Sequence, residues 1–339
     1  MRTMTDETAP WRLMALADGY VTTQLLYVAA RLGLATELAA APRTGAQVAA
    51  RVGADPDVVT RVLRGLCLDE VFVERDDGRF ALGPLGRHLC EESMRERLLV
   101  RGEFYYRAAQ ALLDSAVGGG TAFERVYGQP FFDHLERHPE HATLFQASMA
   151  GRAEHEARAV VAAYDLSGCC RLVDVGAGPG LMTRAALQAV PGLRATLLDR
   201  PGMLERARAE LAAAGLAERC VLVAGDFFDA VPDGGDVYLL SRVLHDWTDD
   251  DAVRILKTCR AAMPPGGRLL VVDAVLPARA RDMPAAIRMD LMMLILLGAR
   301  ERTEEEFRGL LARAGFDLRR VVPTGSPTGL AVVEAVPAG

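Results

Sequence analysis

Apolar residues recur every two to five positions along the first forty: Leu13, Leu16, Tyr20, Leu25, Tyr27 and Leu32. That period predicts a helix from residue 11 to about 40, interrupted at Gly33. Thr44 reads as the N-cap of a short helix, Ala46–Val52, which Gly53 stops. Asp55 and Pro56, an acid at the cap and a proline in the first turn, open another helix to about Glu70. Val71–Glu74 and Arg79–Leu82 flank the turn Asp76-Asp77-Gly78 and predict a small hairpin. Together these elements predict a winged-helix-like unit. From 84 to about 165 the pattern is helical with breaks, and Gly118-Gly119-Gly120 forms a loop. Phe123, Tyr127, Phe131 and Phe132 form an aromatic cluster that either fills core or walls a substrate pocket.

At Arg171 the pattern changes to strand alternating with helix. Strands are expected at Arg171–Val175, Arg194–Asp199, Cys220–Ala224, Asp236–Ser241, Gly267–Val275, Phe316–Val322 and Leu330–Val336. Helices are expected at Leu181–Val190, Met203–Ala214, Asp249–Met263 and Glu304–Ala314. This is an α/β pattern, a doubly wound and mostly parallel seven-stranded sheet with helices on both faces. The last two strands have no helix between them and should pair antiparallel. The expected organisation is a helical winged-helix-like domain over 1–100, a helical linker and pocket segment over 101–165, and the sheet domain over 166–339.

Composition narrows the classes of function. The 339 residues carry 39 basic and 45 acidic side chains, a formal charge of −6. No basic excess suggests a nucleic-acid partner. The helix that would read DNA in a winged-helix protein carries Arg61 and Arg64 among four acids, so dimerisation or scaffolding is the better reading. The longest apolar run, Leu291–Leu297, is too short to span a bilayer. MRTMTDETAP has no apolar signal core. The six cysteines show no CxxC spacing and no disulfide-scaffold density. A soluble, cytoplasmic protein without membrane contact is expected.

The chemistry concentrates at strand ends. The first sheet strand runs into Asp174-Val175-Gly176-Ala177-Gly178-Pro179-Gly180, a glycine loop that lets backbone approach a ligand. Asp199 ends the next strand, where a carboxylate can accept from both hydroxyls of a ribose. A nicotinamide enzyme is the competitor, but its G-x-G-x-x-G spacing is not met, and the third glycine that lets its helix pack closely is absent. Asp174 would sit poorly beside a pyrophosphate and suits the ammonium of a methionine moiety. Gly225-Asp226-Phe227-Phe228 follows the third strand; Phe227 could stack on a purine and Asp226 accept from its amino group. After the fourth strand, Leu240-Ser241-Arg242-Val243-Leu244-His245-Asp246-Trp247 places His245 at the carboxyl edge of the sheet, where open α/β sheets bind ligands. A histidine there can take a proton near neutral pH. Asp273, interrupting an apolar strand, and Glu301 are the acids that could hold its tautomer. No metal is required.

These segments resemble the small-molecule O-methyltransferases of the plant caffeic-acid type and their bacterial natural-product relatives. The carrying motifs are VDVGAGPG, LLDRP, GDFFDAVP, LSRVLHDWTDDDAVRIL, PPGGRLLVVDAVLP and ARERTEEEFRGLLARAGF, in order across 171–317, with TTQLLYVAARLGLATEL and PFFDHLERHPEHATLFQASMAG before them. The resemblance implies a homodimer that uses S-adenosyl-L-methionine to methylate a hydroxyl of a small aromatic molecule, a polyketide or hydroxynaphthoate-like intermediate. It implies His245 as general base, with Asp273 and Glu301 flanking it. Cofactor contacts are implied at Asp174, Gly176, Gly178, Gly180, Asp199, Arg200, Gly225, Asp226, Phe227, Ser241, Arg242, Met149 and Arg152. Substrate contacts are implied at Met289, Asp290, Met293, Asp246 and Phe132. The family often has glutamate where Asp273 stands, and this shorter side chain has less reach toward the ring. Two alternatives follow the same motifs: a relative that binds the cofactor yet catalyses decarboxylation or hydroxylation, and a winged-helix regulator with a decayed enzyme domain.

Overall fold

The computed structural model describes residues 8–339, so most of the amino-terminal segment read for a signal core lies outside the described residues. Contacts divide the chain into two units: residues up to Ala111 with Phe132–Gly151, and Leu112–Phe131 with Arg152–Gly339. The expected segment 101–165 is therefore not a unit of its own; its residues are shared between the two.

In the first unit the expected long helix is three helices, Ala9–Ala17, Gly19–Leu32 and Leu34–Ala39. Gly33 makes one break in the left-handed conformation, and the other falls at Asp18. Thr44 and Gln47 form a reciprocal capping box on helix Gly45–Val52, and Asp55 caps Pro56–Cys67 by accepting from the Val58 amide. Strand β1 (Phe72–Glu74) pairs antiparallel with β2 (Phe80–Leu82). Phe72 and Phe80 join Leu34, Val48, Leu63 and Leu66 in this unit's core.

The second unit is built on a sheet of β3 (Arg171–Val175), β4 (Arg194–Asp199), β5 (Cys220–Ala224), β6 (Val237–Ser241), β7 (Arg268–Leu276), β8 (Arg302–Thr303), β9 (Phe316–Pro323) and β10 (Leu330–Pro337). Seven strands run in the order β5-β4-β3-β6-β7-β10-β9, and the two-residue β8 pairs with β7. The first five strands of that order are parallel, and β10 is antiparallel to both β7 and β9. Alternation along each strand divides the core. Val173, Tyr238, Leu240 and Val271 face helices Asp249–Ala262 and Glu304–Arg313, while Leu172, Leu239, Leu270 and Val272 face helices Leu181–Ala189 and Pro201–Ala213. Chain direction across the sheet reverses between β3 and β6, the point where ligands bind in open α/β sheets. Helix Pro284–Leu297, largely apolar but carrying Arg288 and Asp290, lies outside the strand–helix alternation. Among the described residues no helix is long and apolar enough to cross a membrane.

Candidate active site

The loop after β3 is shaped by its glycines. Gly176, Gly178 and Gly180 all have positive φ, at 73°, 55° and 76°. A Cβ on Gly176 would lie 2.9 Å from Val243 Cγ2 and 3.5 Å from Phe227 Cε1, so the loops after β3, β5 and β6 converge there. A Cβ on Gly178 would meet nothing within 4 Å, which leaves room beside the backbone. Gly180 corrects one expectation. Its Cβ would sit 3.2 Å from Leu197 Cδ2 and 3.4 Å from Ala207 Cβ, so close helix packing does depend on a glycine here.

Two acids border this loop. Asp199 Oδ2 accepts from the Gly178 amide at 2.7 Å, and its Oδ1 accepts from the Arg200 amide at 2.7 Å. Burial raises the Asp199 carboxyl above its ordinary range, against those two amides. Asp174 is buried, and its Oδ2 accepts from Thr183 Oγ1 at 2.5 Å. Among the described residues its Oδ1 has no hydrogen-bond partner. Burial first, then nearby Asp199, lift this carboxyl to about 7 against the Thr183 hydrogen bond. A buried oxygen without a donor costs about 1–3 kcal/mol, and a ligand's ammonium would satisfy it. A glycine cradle with room at Gly178, a strand-end acid and an orphaned carboxylate oxygen fit the ribose and amino groups of a methionine nucleoside.

The loop after β5 starts at Gly225, whose amide donates to the Asp199 carbonyl at 3.2 Å. Asp226 is exposed and accepts from the Phe228 amide at 2.8 Å. The half-buried Phe227 ring lies 5.1 Å from Phe228 and 5.9 Å from Trp247. Ser241 ends β6 half-buried. Arg242 follows with φ of 57°, a left-handed backbone at a non-glycine residue. It donates to both oxygens of Glu156, at 3.1 and 2.6 Å, and its Nη1 lies 3.6 Å from Glu301 Oε1.

His245 sits in a short 3-10 turn, Leu244–Asp246, and is 4% exposed. Its Nδ1 donates to Glu301 Oε1 at 2.9 Å, because a carboxylate can only accept. In the neutral ring that leaves the lone pair on Nε2. Asp246 Oδ1 stands 3.4 Å from Nε2. Asp273 is fully buried on β7, and among the described residues neither of its oxygens has a hydrogen-bond partner. Its influence on the ring is through charge.

Burial opposes a charge on His245, but Glu301, Asp246 and Asp273 outweigh it and raise the imidazole to about 9. Burial pushes Asp273 up to about 7, against the pull of His245. Burial also acts to raise Glu301, but His245 and Arg242 hold it below the ordinary range. Glu156 is likewise held low against burial by Arg242 and Arg152. Glu156, Asp246, Asp273 and Glu301 thus face Arg152, Arg242 and His245, four acids against three bases.

The remaining expected residues are spread more widely. Arg152 Nη1 lies 3.5 Å from Met289 Sδ, and Arg152 Nε lies 3.7 Å from Glu156. Asp290 Oδ1 accepts from the Glu301 amide at 2.9 Å, so Asp290 supports the residue that supports His245. Met293 is on the same helix as Met289. Met149 and Phe132 belong to the first unit. Phe123 stacks on Tyr127 at 4.4 Å and meets Phe131 edge-on at 5.1 Å, and both Phe123 and Phe131 are buried. Sequence reasoning missed Glu156, Thr183 and Arg302. The spacing of Arg152 and Glu156 by four residues in a helix was the one signal for the first of these.

The family described as the O-methyltransferase domain matches residues 105–317, and the O-methyltransferase dimerisation domain matches 14–92. Phenazine O-methyltransferase PhzM of Lysobacter antibioticus is 44% identical over 328 residues, 96% of this chain and 95% of that protein. The solved structure of the mitomycin 7-O-methyltransferase MmcR superposes with a TM-score of 0.91 at 36% identity, covering 98% of both chains. The O-methyltransferase NcsB1 of neocarzinostatin biosynthesis, crystallised with S-adenosylmethionine and 2-hydroxy-5-methyl naphthoic acid, has a TM-score of 0.82 at 33% identity, over 95% of this chain and 98% of that one. Relatives at 34 and 35% identity include N-methyltransferases.

Proposed function

The chain belongs to the O-methyltransferase family, an enzyme family whose cofactor is S-adenosylmethionine, and from that premise we propose that it methylates a hydroxyl of a small aromatic natural-product intermediate with His245 as general base. The observation that carries the reading is the buried His245–Glu301 pair, at 2.9 Å, on the carboxyl edge of the sheet. Bound S-adenosylmethionine supplies a methyl group on a positively charged sulfonium, the electrophile that such a transfer requires.

The chain's own residues do the rest. Gly178 leaves backbone open to the cofactor, Asp199 accepts from its ribose and Asp174 from its ammonium, with Phe227 beside the adenine. Glu301 fixes the His245 tautomer so that Nε2, once the imidazolium has lost its proton, can take the hydroxyl proton. A phenol with pKa near 10 is a poor nucleophile until that proton leaves. Asp246, on the Nε2 side, is the group the acceptor hydroxyl must share space with. Holding both reactants replaces a bimolecular encounter and supplies much of the acceleration. Relatives that act on phenazines, aminohydroxybenzoate and naphthoate support a planar aromatic acceptor, such as a hydroxynaphthoate or a polyketide ring. The dimerisation domain, and the exposed Trp11, Leu13 and Leu16, support a homodimer.

The test is transfer from methyl-labelled S-adenosylmethionine to a panel of hydroxylated aromatics, with His245→Ala beside the wild type. Label on oxygen, reduced about a hundredfold or more in the variant, is expected. Equal transfer by both proteins rejects His245 as base. Label on nitrogen places the chain with its N-methylating relatives.

A further inference from the structure

We propose that Arg302 is a positioning residue for the reaction: its guanidinium anchors the backbone on both sides of His245 and Asp246 and so keeps the His245 ring in register with Glu301. The inference rests on the reading of His245 as the base, but its test reads the ring directly and needs no turnover.

Arg302 is 1% exposed and heads the largest fully buried side chains among the described residues. A buried guanidinium needs partners, and each of its bonds goes to the segment that carries His245. Nη1 donates to the Leu244 carbonyl at 2.8 Å, and Nη2 donates to the Trp247 carbonyl at 3.0 Å. Nε and Nη2 donate to Asp249 Oδ1 at 2.9 and 2.8 Å. Leu244 and Trp247 bracket His245 and Asp246, and Asp249 opens the next helix. The bracketed stretch is one 3-10 turn, closed internally by amides of Asp246 and Trp247 at 3.1 and 3.3 Å. Such turns have poor hydrogen-bond geometry and gain from an outside anchor.

The anchor is itself fixed. β8 pairs with β7 in parallel, Val275 opposite Arg302 and Leu276 opposite Thr303. Asp273 stands on that same strand. The residue before Arg302 is Glu301, whose amide is held by Asp290. Consecutive residues therefore take hold of the turn and of the ring: Arg302 the carbonyls, Glu301 the imidazole. Lysine, a point donor, cannot span two carbonyls and a carboxylate that the planar fork reaches together.

The experiment is a pH titration of the His245 Cε1 proton by NMR in full-length wild type and Arg302→Lys, with Glu301, Asp246, Asp273, Arg242 and Glu156 all in place around the ring. Slackened register weakens the Nδ1–Glu301 bond, so the midpoint should fall by about one unit or more, a tenfold change in the protonation constant. Affinity for S-adenosylhomocysteine should stay within about threefold, because the Arg302 side-chain bonds go to Leu244, Trp247 and Asp249 and not to the glycine loop, Asp199 or Asp226. A folded Arg302→Lys with an unmoved midpoint and only a lower Tm overturns the proposal. Should that variant not fold, Asp249→Asn decides, since Asp249 is half-exposed. A lowered midpoint there supports the anchor, and an unmoved one overturns it.

Discussion

Replacing Glu301 by glutamine keeps an oxygen opposite His245 Nδ1 and deletes a charge. In the wild type the ring sits at about 9 against an ordinary 6.5, with burial opposing and Glu301 foremost among the carboxylates that raise it. That displacement is worth about 3 kcal/mol between the two protonation states. A pair in contact at an effective dielectric near 20 interacts by about 4 kcal/mol, so one carboxylate can account for most of it. Glu301→Gln should therefore lower the His245 midpoint by about one to two units. The rise of kcat/KM with pH, which follows loss of the imidazolium proton, should move toward acid by the same amount. Stability carries a second signature. The raised His245 stabilises the fold fully below 6.5 and loses that contribution as pH climbs through about 9. The depressed Glu301 stabilises it above its ordinary 4.5 and loses that as pH falls. The stability difference between wild type and Glu301→Gln should be largest between those two ordinary values and shrink on either side. A pH–rate limb that stays put in the variant, or moves toward alkali, refutes the account.

Other expectations are simpler. Asp199→Ala loses the Gly178 amide bond and a ribose acceptor, so cofactor binding by calorimetry should weaken about tenfold or more; unchanged affinity rejects the assignment. Gly176→Ala, with φ of 73° and Val243 Cγ2 at 2.9 Å, should cost about 1–3 kcal/mol in thermal unfolding. Gly168→Ala, where no atom lies within 4 Å, serves as its control and should change little. Asp273 has a folded pKa raised from an ordinary 3.8 to about 7, so its contribution is present below 3.8 and lost as pH rises toward 7. Asp273→Asn should gain stability relative to wild type over that range, and parallel denaturation curves across it would count against a protonated Asp273.

Local pattern made much of this molecule legible. The capping residues Thr44 and Asp55, the seven longer sheet strands and the antiparallel closing pair follow from short-range rules and lie close to where the sequence places them, whereas the two-residue β8 does not. The glycine loop and His245 are also short-range signals. Interactions between distant elements were not legible. Arg242 meets Glu156 across 86 positions, and Arg302 meets Leu244 across 58. An arginine in such a place reads as surface until the fold buries it. Gly180 shows the reverse case: its packing role depends on Leu197 and Ala207, which no spacing rule connects to it. The resemblance implies Asp290 as a substrate contact, and its carboxylate accepts from the distant Glu301 amide, a partner that no local pattern shows.

The antiparallel insertion of β10 between β7 and β9 sets an order on synthesis. β10 is the final element of the sheet to leave the ribosome, yet Ala331 is the partner of Asp273 and Val332 of Val272. Until it arrives, β7 is paired with β6 and β8 but has an open edge on the side where Ala331 will meet Asp273. Exposed edges recruit foreign strands. The nascent protein therefore passes through an interval in which the edge of β7 needs shielding, and that edge closes only when β10 has been made.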